Sequence, residues 1–462
     1  MLLNFHIIFL LIYVINKSFI YASELKDHKI NSIFNNKNLN LRKINSENIN
    51  NKIILNRTNE NLYYFNIEIG TPSQIFSVLL DTGSNFFWIN DNRCIDCKSK
   101  RKFNSDESKT YNNTNKLINI NYISGDLIGT IVSDNIKFLN NKNISDFNFI
   151  LINDSKIDFE LDGIFGLSKN IKDINNNEFS PLNQIYKSNI FNNNIFIIDF
   201  PNYNLYIGEK PFYLDLYTNI TCKRKSITDL NNYYWKCISN NIKLKNSFNE
   251  KEKEEYIPKE NNIIFNSGIN SIVFASNYIP LFKNIISNNM LLNDAKCDIK
   301  KLEENNQIYS IICENFINFI NNNKYSKIYK EEFISIYLDQ SQKSISFNLE
   351  ELYDKDIKSF KIYFINIPDN TIVLGIPLFQ KYIIMLNKDD EEIVIFNQKK
   401  EMKCGESNNI KVISIISMVI MMVLIILIIH YLCKKRKNRY NSIKLEKDFT
   451  HFSSFTPEAK YI

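Results

Sequence analysis

The chain has 462 residues, 44% of them apolar, which is enough for two core-bearing lobes of ordinary size. Its formal charge is +6, but residues 433–462 hold eight Lys/Arg against three acids, so +5 of that charge sits in the tail. The remainder is nearly neutral, which excludes the broad basic footprint of a nucleic-acid binder.

Residues 1–22 read as a secretory signal, with the apolar runs "IIFL" and "LIYVINKSFI" ahead of small residues at Ala22-Ser23. A signal that stays as an uncleaved anchor is the alternative. Residues 23–59 are polar, rich in Asn and Lys, and lack periodicity. They read either as a pro-segment, with Lys26 or Lys29 reaching a carboxylate of the body, or as a flexible arm. From residue 60 the texture changes. "YYFNIEIG", "IFSVLLD", "FFWIN", "INYI", "IGTIVSDNIKF" and "FNFILI" are short, β-branched and aromatic runs parted by Gly, Asn, Asp and Ser, the pattern of strands. "NLYIGE", "YYWKCI", "IIFNSGINSIVFA", "SISFNL", "TIVLGI", "KYIIMLN" and "EEIVIFN" repeat it further on. Short helices are expected in "SPLNQIYKSNIFNN" and "SNYIPLFKNIISNNML". The charge run "NEKEKEEYIPKE", Asn249 to Glu260, is expected to be a solvated loop. The pattern predicts an all-β body of two lobes, 60–200 and 201–400, each with one apolar–turn–apolar element and a cleft between them.

Residues 412–432 carry no charge and are long enough to cross a bilayer of about 30 Å. "KKRK" follows at once. The tail 433–462 is therefore expected in the cytosol and the lobes in a lumen or outside the cell. That makes a single-pass type I protein of the secretory or endosomal system or the cell surface, its basic tail suited to anionic lipid. Within the tail, Tyr440-Asn-Ser-Ile443 matches a tyrosine-based sorting signal, a pattern short enough to occur by chance.

Of eight cysteines, Cys433 lies at the inner membrane edge, as an acylation site or a plain thiol. Seven lie on the oxidising side, where sequence-local pairing suggests Cys94–Cys97, Cys222–Cys237 and Cys297–Cys313 and leaves Cys404 odd. Cys94-x-x-Cys97 also has the form of a redox or half-zinc motif, with no second CxxC to support it. Sequons at Asn56, Asn112, Asn143, Asn153 and Asn219 fit a secreted body.

The four histidines, His6, His28, His430 and His451, all lie outside both lobes. That removes Ser-His-Asp and Cys-His hydrolysis and His-rich zinc sites from the body. No phosphate-binding or dinucleotide fingerprint is present. Catalysis in the lobes falls to carboxylates, Tyr, Lys or hydroxyls, and neither metal nor cofactor is expected.

"YYFNIEIGTPSQIFSVLLDTGSNFFWI", with Asp81-Thr82-Gly83-Ser84 and then Trp88, resembles the opening of pepsin-like aspartic proteases, and the resemblance runs in order to about Phe396. "NYISGDLIG", Asn121 to Gly129, looks like the family's flap hairpin, with Tyr122 as its tyrosine and Ser124 and Gly125 at its tip. Ile123 there is most like the plasmepsin branch. "LDGIFGLS", Leu161 to Ser168, and "IVLGIPLFQKYIIMLN", Ile372 to Asn387, look like the strands lining the two catalytic turns. The resemblance implies a bilobal pepsin-like fold, a monomer that takes extended peptide or protein chains in its cleft, and a carboxylate pair sharing one proton. One carboxylate would take a proton from water while the other donates one to the scissile amide, each role contributing roughly 10²–10⁴-fold. Asp81 would be one of the pair, Thr82 would brace the turn, Ser84 would bond the carboxylate's outer oxygen, and Tyr122 and Trp88 would close over the peptide.

The partner position is Asn266, in "NNIIFNSGINSIVF", flanked by Ser267 and Gly268. An amide matches a carboxylate in size but supplies neither base nor ionisable proton. Asp81, without a like charge beside it, is then expected to stay anionic through mild acid. Ile269 stands where the family has Thr or Ser, Ile376 where "LGD" is usual, and Asn387 where "FD" is usual. Two functions remain open: a membrane-anchored aspartic-type endopeptidase of an acidic lumen with altered chemistry, and a pseudoprotease that binds peptide without cutting it.

Overall fold

The structure is a computed structural model. It describes residues 51–397, apart from 123–124, 140–141, 158, 170–178, 224–232, 246–253, 258–259, 303–306, 321–327 and 340, and also residues 424–437. The signal, most of the arm, Ile123, Ser124, Cys404, residues 412–423 of the expected span and Tyr440 lie outside the described residues.

The first half supplies β1 (Lys52–Ile54), β2 (Asn56–Arg57), β3 (Tyr63–Ile69), β4 (Gln74–Asp81), β5 (Phe87–Asn90), β6 (Asn112–Tyr122), β7 (Gly125–Leu139), β8 (Lys142–Ser155) and β9 (Gly163–Gly166). Next come β10 (Ile195–Asp199), β11 (Asn204–Ile207), β12 (Thr218–Lys223), β13 (Lys236–Lys245), β14 (Glu254–Ile257), β15 (Asn261–Phe265) and β16 (Ile272–Ala275). The last are β17 (Cys297–Lys301), β18 (Tyr309–Cys313), β19 (Glu332–Leu338), β20 (Ser344–Asn348), β21 (Tyr353–Asp354), β22 (Ser359–Ile365), β23 (Thr371–Leu374), β24 (Tyr382–Asn387) and β25 (Glu392–Asn397). Alternation explains them locally. In β3, Phe65, Ile67 and Ile69 are buried while Asn66 points to solvent.

Three sheets result. An eight-stranded sheet runs β2-β3-β4-β9-β5-β8-β7-β6, and an eleven-stranded sheet follows the path β17-β18-β22-β16-β23-β15-β13-β19-β20, with β14 on β13 and β21 on β22. A six-stranded sheet, β1-β11-β10-β24-β25-β12, draws strands from both halves of the chain. Its strands are apolar on both faces: Phe196, Ile198, Ile384 and Ile395 join the main core, while Ile195, Ile197, Ile383 and Val394 form a second cluster on the opposite face. The two lobes therefore share a sheet, which ties their relative position to a buried core.

Two expectations change. The charge run is not wholly loop: Glu254–Ile257 forms β14, which pairs with β13 through Ile242↔Ile257 and Lys245↔Glu254. Ile257 is buried against this pairing, which docks the strand although it lies in a charge run. Within residues 23–59, expected as a pro-segment or a flexible arm, Lys52–Ile54 is a strand that pairs with β11 and buries Ile53. The expected helices appear at Pro181–Ser188 and Ile279–Asn288. All three local cysteine pairs are disulfides, so Cys94-x-x-Cys97 is a buried bridge. Separately, residues 424–437 are helical with exposed apolar side chains. No described helix is long and apolar enough to cross a membrane.

Candidate active site

The two apolar–turn–apolar elements have the same backbone plan. β4 runs parallel to β9, with Asp81 opposite Gly166, and β9 runs antiparallel to β5. β15 runs parallel to β23, with Phe265 opposite Leu374, and β23 runs antiparallel to β16. Leu167 N–H donates to Asp81 O at 2.7 Å, and Asn266 N–H to Leu374 O at 3.0 Å. Each turn leaves its strand at the position that carries the functional head-group.

Four hydrogen bonds lock the turns to each other. Thr82 N–H donates to Ser267 Oγ at 3.0 Å, and Ser267 N–H to Thr82 Oγ1 at 3.0 Å. Thr82 Oγ1 then donates to Phe265 O at 2.9 Å, and Ser267 Oγ to Leu80 O at 2.7 Å. Both side chains are fully buried, so each donor and acceptor needs the partner it has. The glycines let the head-groups approach. A Cβ on Gly83 would stand 2.1 Å from Asn266 Nδ2, and one on Gly268 would stand 2.4 Å from Asp81 Oδ1.

The head-groups are held alike. Gly83 N–H donates to Asp81 Oδ1 at 2.8 Å, and Gly268 N–H to Asn266 Oδ1 at 2.8 Å. A backbone donor thus claims the amide oxygen and leaves Nδ2 as the group Asn266 can offer to a bound molecule. Burial pushes the Asp81 carboxyl above its ordinary value, against the opposing pull of Ser84 and the Gly83 and Gly268 N–H groups. The shift runs upward, against the expected downward pull on an Asp81 without a like charge beside it, because burial strips water from the carboxylate. Ser84 stands where the resemblance places it, beside the Asp81 carboxyl. Its hydroxyl lies near enough to Asp81 and Tyr122 to draw both values down, yet Oγ is buried with no hydrogen bond among the described residues.

The flap is the hairpin of β6 and β7, closed by the pair Tyr122↔Gly125. Gly125 has φ +143°, a conformation that side chains rarely adopt, which suits it to the tip. Tyr122 Oη accepts a hydrogen bond from Trp88 Nε1 at 3.2 Å. Burial, and next the Asp81 charge, push the Tyr122 hydroxyl well up, so the flap tyrosine lies within electrostatic reach of the carboxylate. Tyr234, just before β13, also has its hydroxyl raised by burial and by Asp81. Sequence reading missed it, since "YYW" shows only aromatic content and not its direction.

The supporting positions separate. Ile376 N–H donates to Ile269 O at 2.8 Å, and the Ile376 side chain is fully buried, so apolar packing stands beside the Asn266 turn. Asn387 belongs elsewhere. It caps the β24–β25 turn, its Oδ1 accepting from Asp389 and Asp390 N–H and its Nδ2 donating to Asp390 Oδ2 at 2.7 Å.

With this geometry in place, a family model described as eukaryotic aspartyl protease matches residues 62–393. Embryonic pepsinogen of Gallus gallus is 41% identical over 76 residues, 16% of this chain and 20% of that protein. Cathepsin D of Bos taurus is 42% identical over 78 residues, and Aspartic protease 6 of Caenorhabditis elegans 46% over 77, each match covering 16% of this chain and 20% of the relative. The chain thus matches about a fifth of the length of these relatives.

Proposed function

The chain belongs to the eukaryotic aspartyl protease family, and from that premise we propose that it is a membrane-anchored, pepsin-like endopeptidase that cuts slowly with one carboxylate. The observation that carries this is the buried Asp81 with its raised pKa, held in an intact two-turn frame opposite an amide whose oxygen accepts from the Gly268 N–H.

A single carboxylate balances the reaction by acting twice. Ionised Asp81 takes a proton from a water whose oxygen bonds to the scissile carbonyl carbon. Asn266 Nδ2 donates to the oxyanion of the tetrahedral intermediate. The Asp81 carboxyl then gives its proton to the amide nitrogen as the C–N bond breaks, which frees the amine and restores the carboxylate. An Asp81 raised by burial is a stronger base than an ordinary carboxylate, and its protonated form can still donate to the leaving nitrogen. Extended peptide lies under the Tyr122 flap, paired along its backbone.

Anchoring is part of the proposal. It is supported by the uncharged stretch 412–432, the "KKRK" that follows, and three disulfides that call for an oxidising lumen. The body is a monomer in the secretory or endosomal lumen or at the cell surface, and its likeness to the plasmepsin branch rests on Ile123 alone.

A second reading, a pseudoprotease that binds peptide without cutting it, is favoured by one observation: the apolar Ile269 and Ile376 stand where polar support for a second carboxylate would be. The test is peptide-library cleavage by the purified ectodomain between pH 4 and 7. Native cleavage that Asp81→Ala abolishes upholds the first reading. Peptide binding without cleavage by the native protein, with cleavage restored by Asn266→Asp, replaces it with the second.

A further inference from the structure

All five sequon asparagines, Asn56, Asn112, Asn143, Asn153 and Asn219, are exposed. Three of them stand on outermost strands. Asn56 lies in β2 and Asn112 in β6, the two edges of the eight-stranded sheet, and Asn219 lies in β12, an edge of the six-stranded sheet. An edge strand presents unpaired N–H and C=O groups that can template pairing with another chain, and soluble proteins blunt such edges.

We propose that Asn56, Asn112 and Asn219 carry N-linked glycans that shield these edges. The eleven-stranded sheet carries no sequon, and its edges are blunted by other means. Its β17 edge reads "CDIKK", with Asp298, Lys300 and Lys301. At the β20 edge, Ser346 N–H donates to Tyr382 Oη at 3.0 Å and Ser346 O accepts from Lys381 Nζ at 2.8 Å. The edge most in need of cover is β6, with eleven residues and one charge, Lys116. A bulky, soluble glycan at Asn112 would mask its start. Asn112 and Tyr122 lie at opposite ends of β6, on the order of 30 Å apart at about 3.4 Å per residue, so the sugar would leave the flap free. Asn153 differs: its amide is tied down, Nδ2 donating to Asp91 Oδ2 at 3.3 Å and Oδ1 accepting from Thr130 Oγ1 at 3.1 Å.

The proposal rests on the lumenal placement given above. The full chain, translated with microsomes, is assayed in parallel for protection of the body from added protease and for endoglycosidase-sensitive gel steps. The expected result is a protected body with one step lost in each of Asn56→Gln, Asn112→Gln and Asn219→Gln. A protected body with no step lost in these variants overturns the glycan assignment and leaves the lumenal reading standing. An unprotected body overturns both. Shielding is tested on the folded native protein: endoglycosidase treatment should turn a monodisperse species into oligomers in size-exclusion chromatography, while the Cys-paired fold stays intact by circular dichroism. A treated protein that stays monomeric overturns the shielding role.

Discussion

The Asp81 and Asn266 turns are the same structure with a different head-group. Each follows a strand that is parallel to one neighbour, each closes on a glycine N–H at 2.8 Å, and each lends a hydroxyl to the other. The frame is therefore indifferent to the exchange of one oxygen for NH₂, since the amide fills the same volume and its oxygen accepts the same bond. The chemistry is not indifferent, because only the carboxylate can gain and lose a proton. Geometry and reactivity are separable here, and each can be broken alone.

The largest effect should come from making the two turns alike in amide. Asp81→Asn removes the proposed base, and peptide cleavage should fall to background while peptide affinity is retained. Making them alike in carboxylate should do the reverse. Asn266→Asp is expected to raise kcat by about 10²–10³-fold, the scale of one positioned acid or oxyanion donor. Its pH profile should become a bell at acid pH, whereas native cleavage should only decline as pH falls through the raised Asp81 value.

The frame itself is the next target. Thr82→Val leaves Ser267 N–H and Phe265 O buried without partners, and Ser267→Ala does the same to Thr82 N–H and Leu80 O. Each should cost about 2–6 kcal/mol in urea unfolding, taking roughly 1–3 kcal/mol per orphaned group. Similar losses from the two would sharpen the equivalence of the turns, and a large imbalance would break it.

A smaller asymmetry lies in proton linkage. The folded Asp81 value lies above the unfolded one, so the folded state binds more protons in the window between them. Stability should fall as pH rises through that window and then level off. Unfolding of Asp81→Asn across the same pH range should lack this step, because its two amides do not titrate. The smallest expected effect is on the flap. Trp88→Phe removes the Nε1–H donor to Tyr122 and should raise KM several-fold, for about 1 kcal/mol, with kcat little changed.

Much of the body was legible along the chain because its signals are local. The period-2 runs, the Asp81-Thr82-Gly83-Ser84 turn and its Asn266 counterpart, the helices at 181–188 and 279–288 and the three disulfides all depend on residues close in sequence. β14 hid inside a charge run because Ile257 is buried only once β13 lies beside it, and nothing local signals that partner. β1 hid inside the arm because three residues show no period. Asn387 read as a lost site residue, yet it caps a turn, a role set by Asp389 and Asp390 folding back on it.

By itself, the sequence determined the strand-rich body, the two turns, and the replacement of a carboxylate by an amide at residue 266, because composition and period are properties of contiguous residues. Only the tertiary structure decided that Asp81 is raised and not lowered, that Tyr122 and Tyr234 both feel its charge, and that one sheet joins the halves. Those outcomes depend on how much water is excluded and on which strands meet. Chain segments far apart, such as Leu80 and Ser267 at 187 residues, set both.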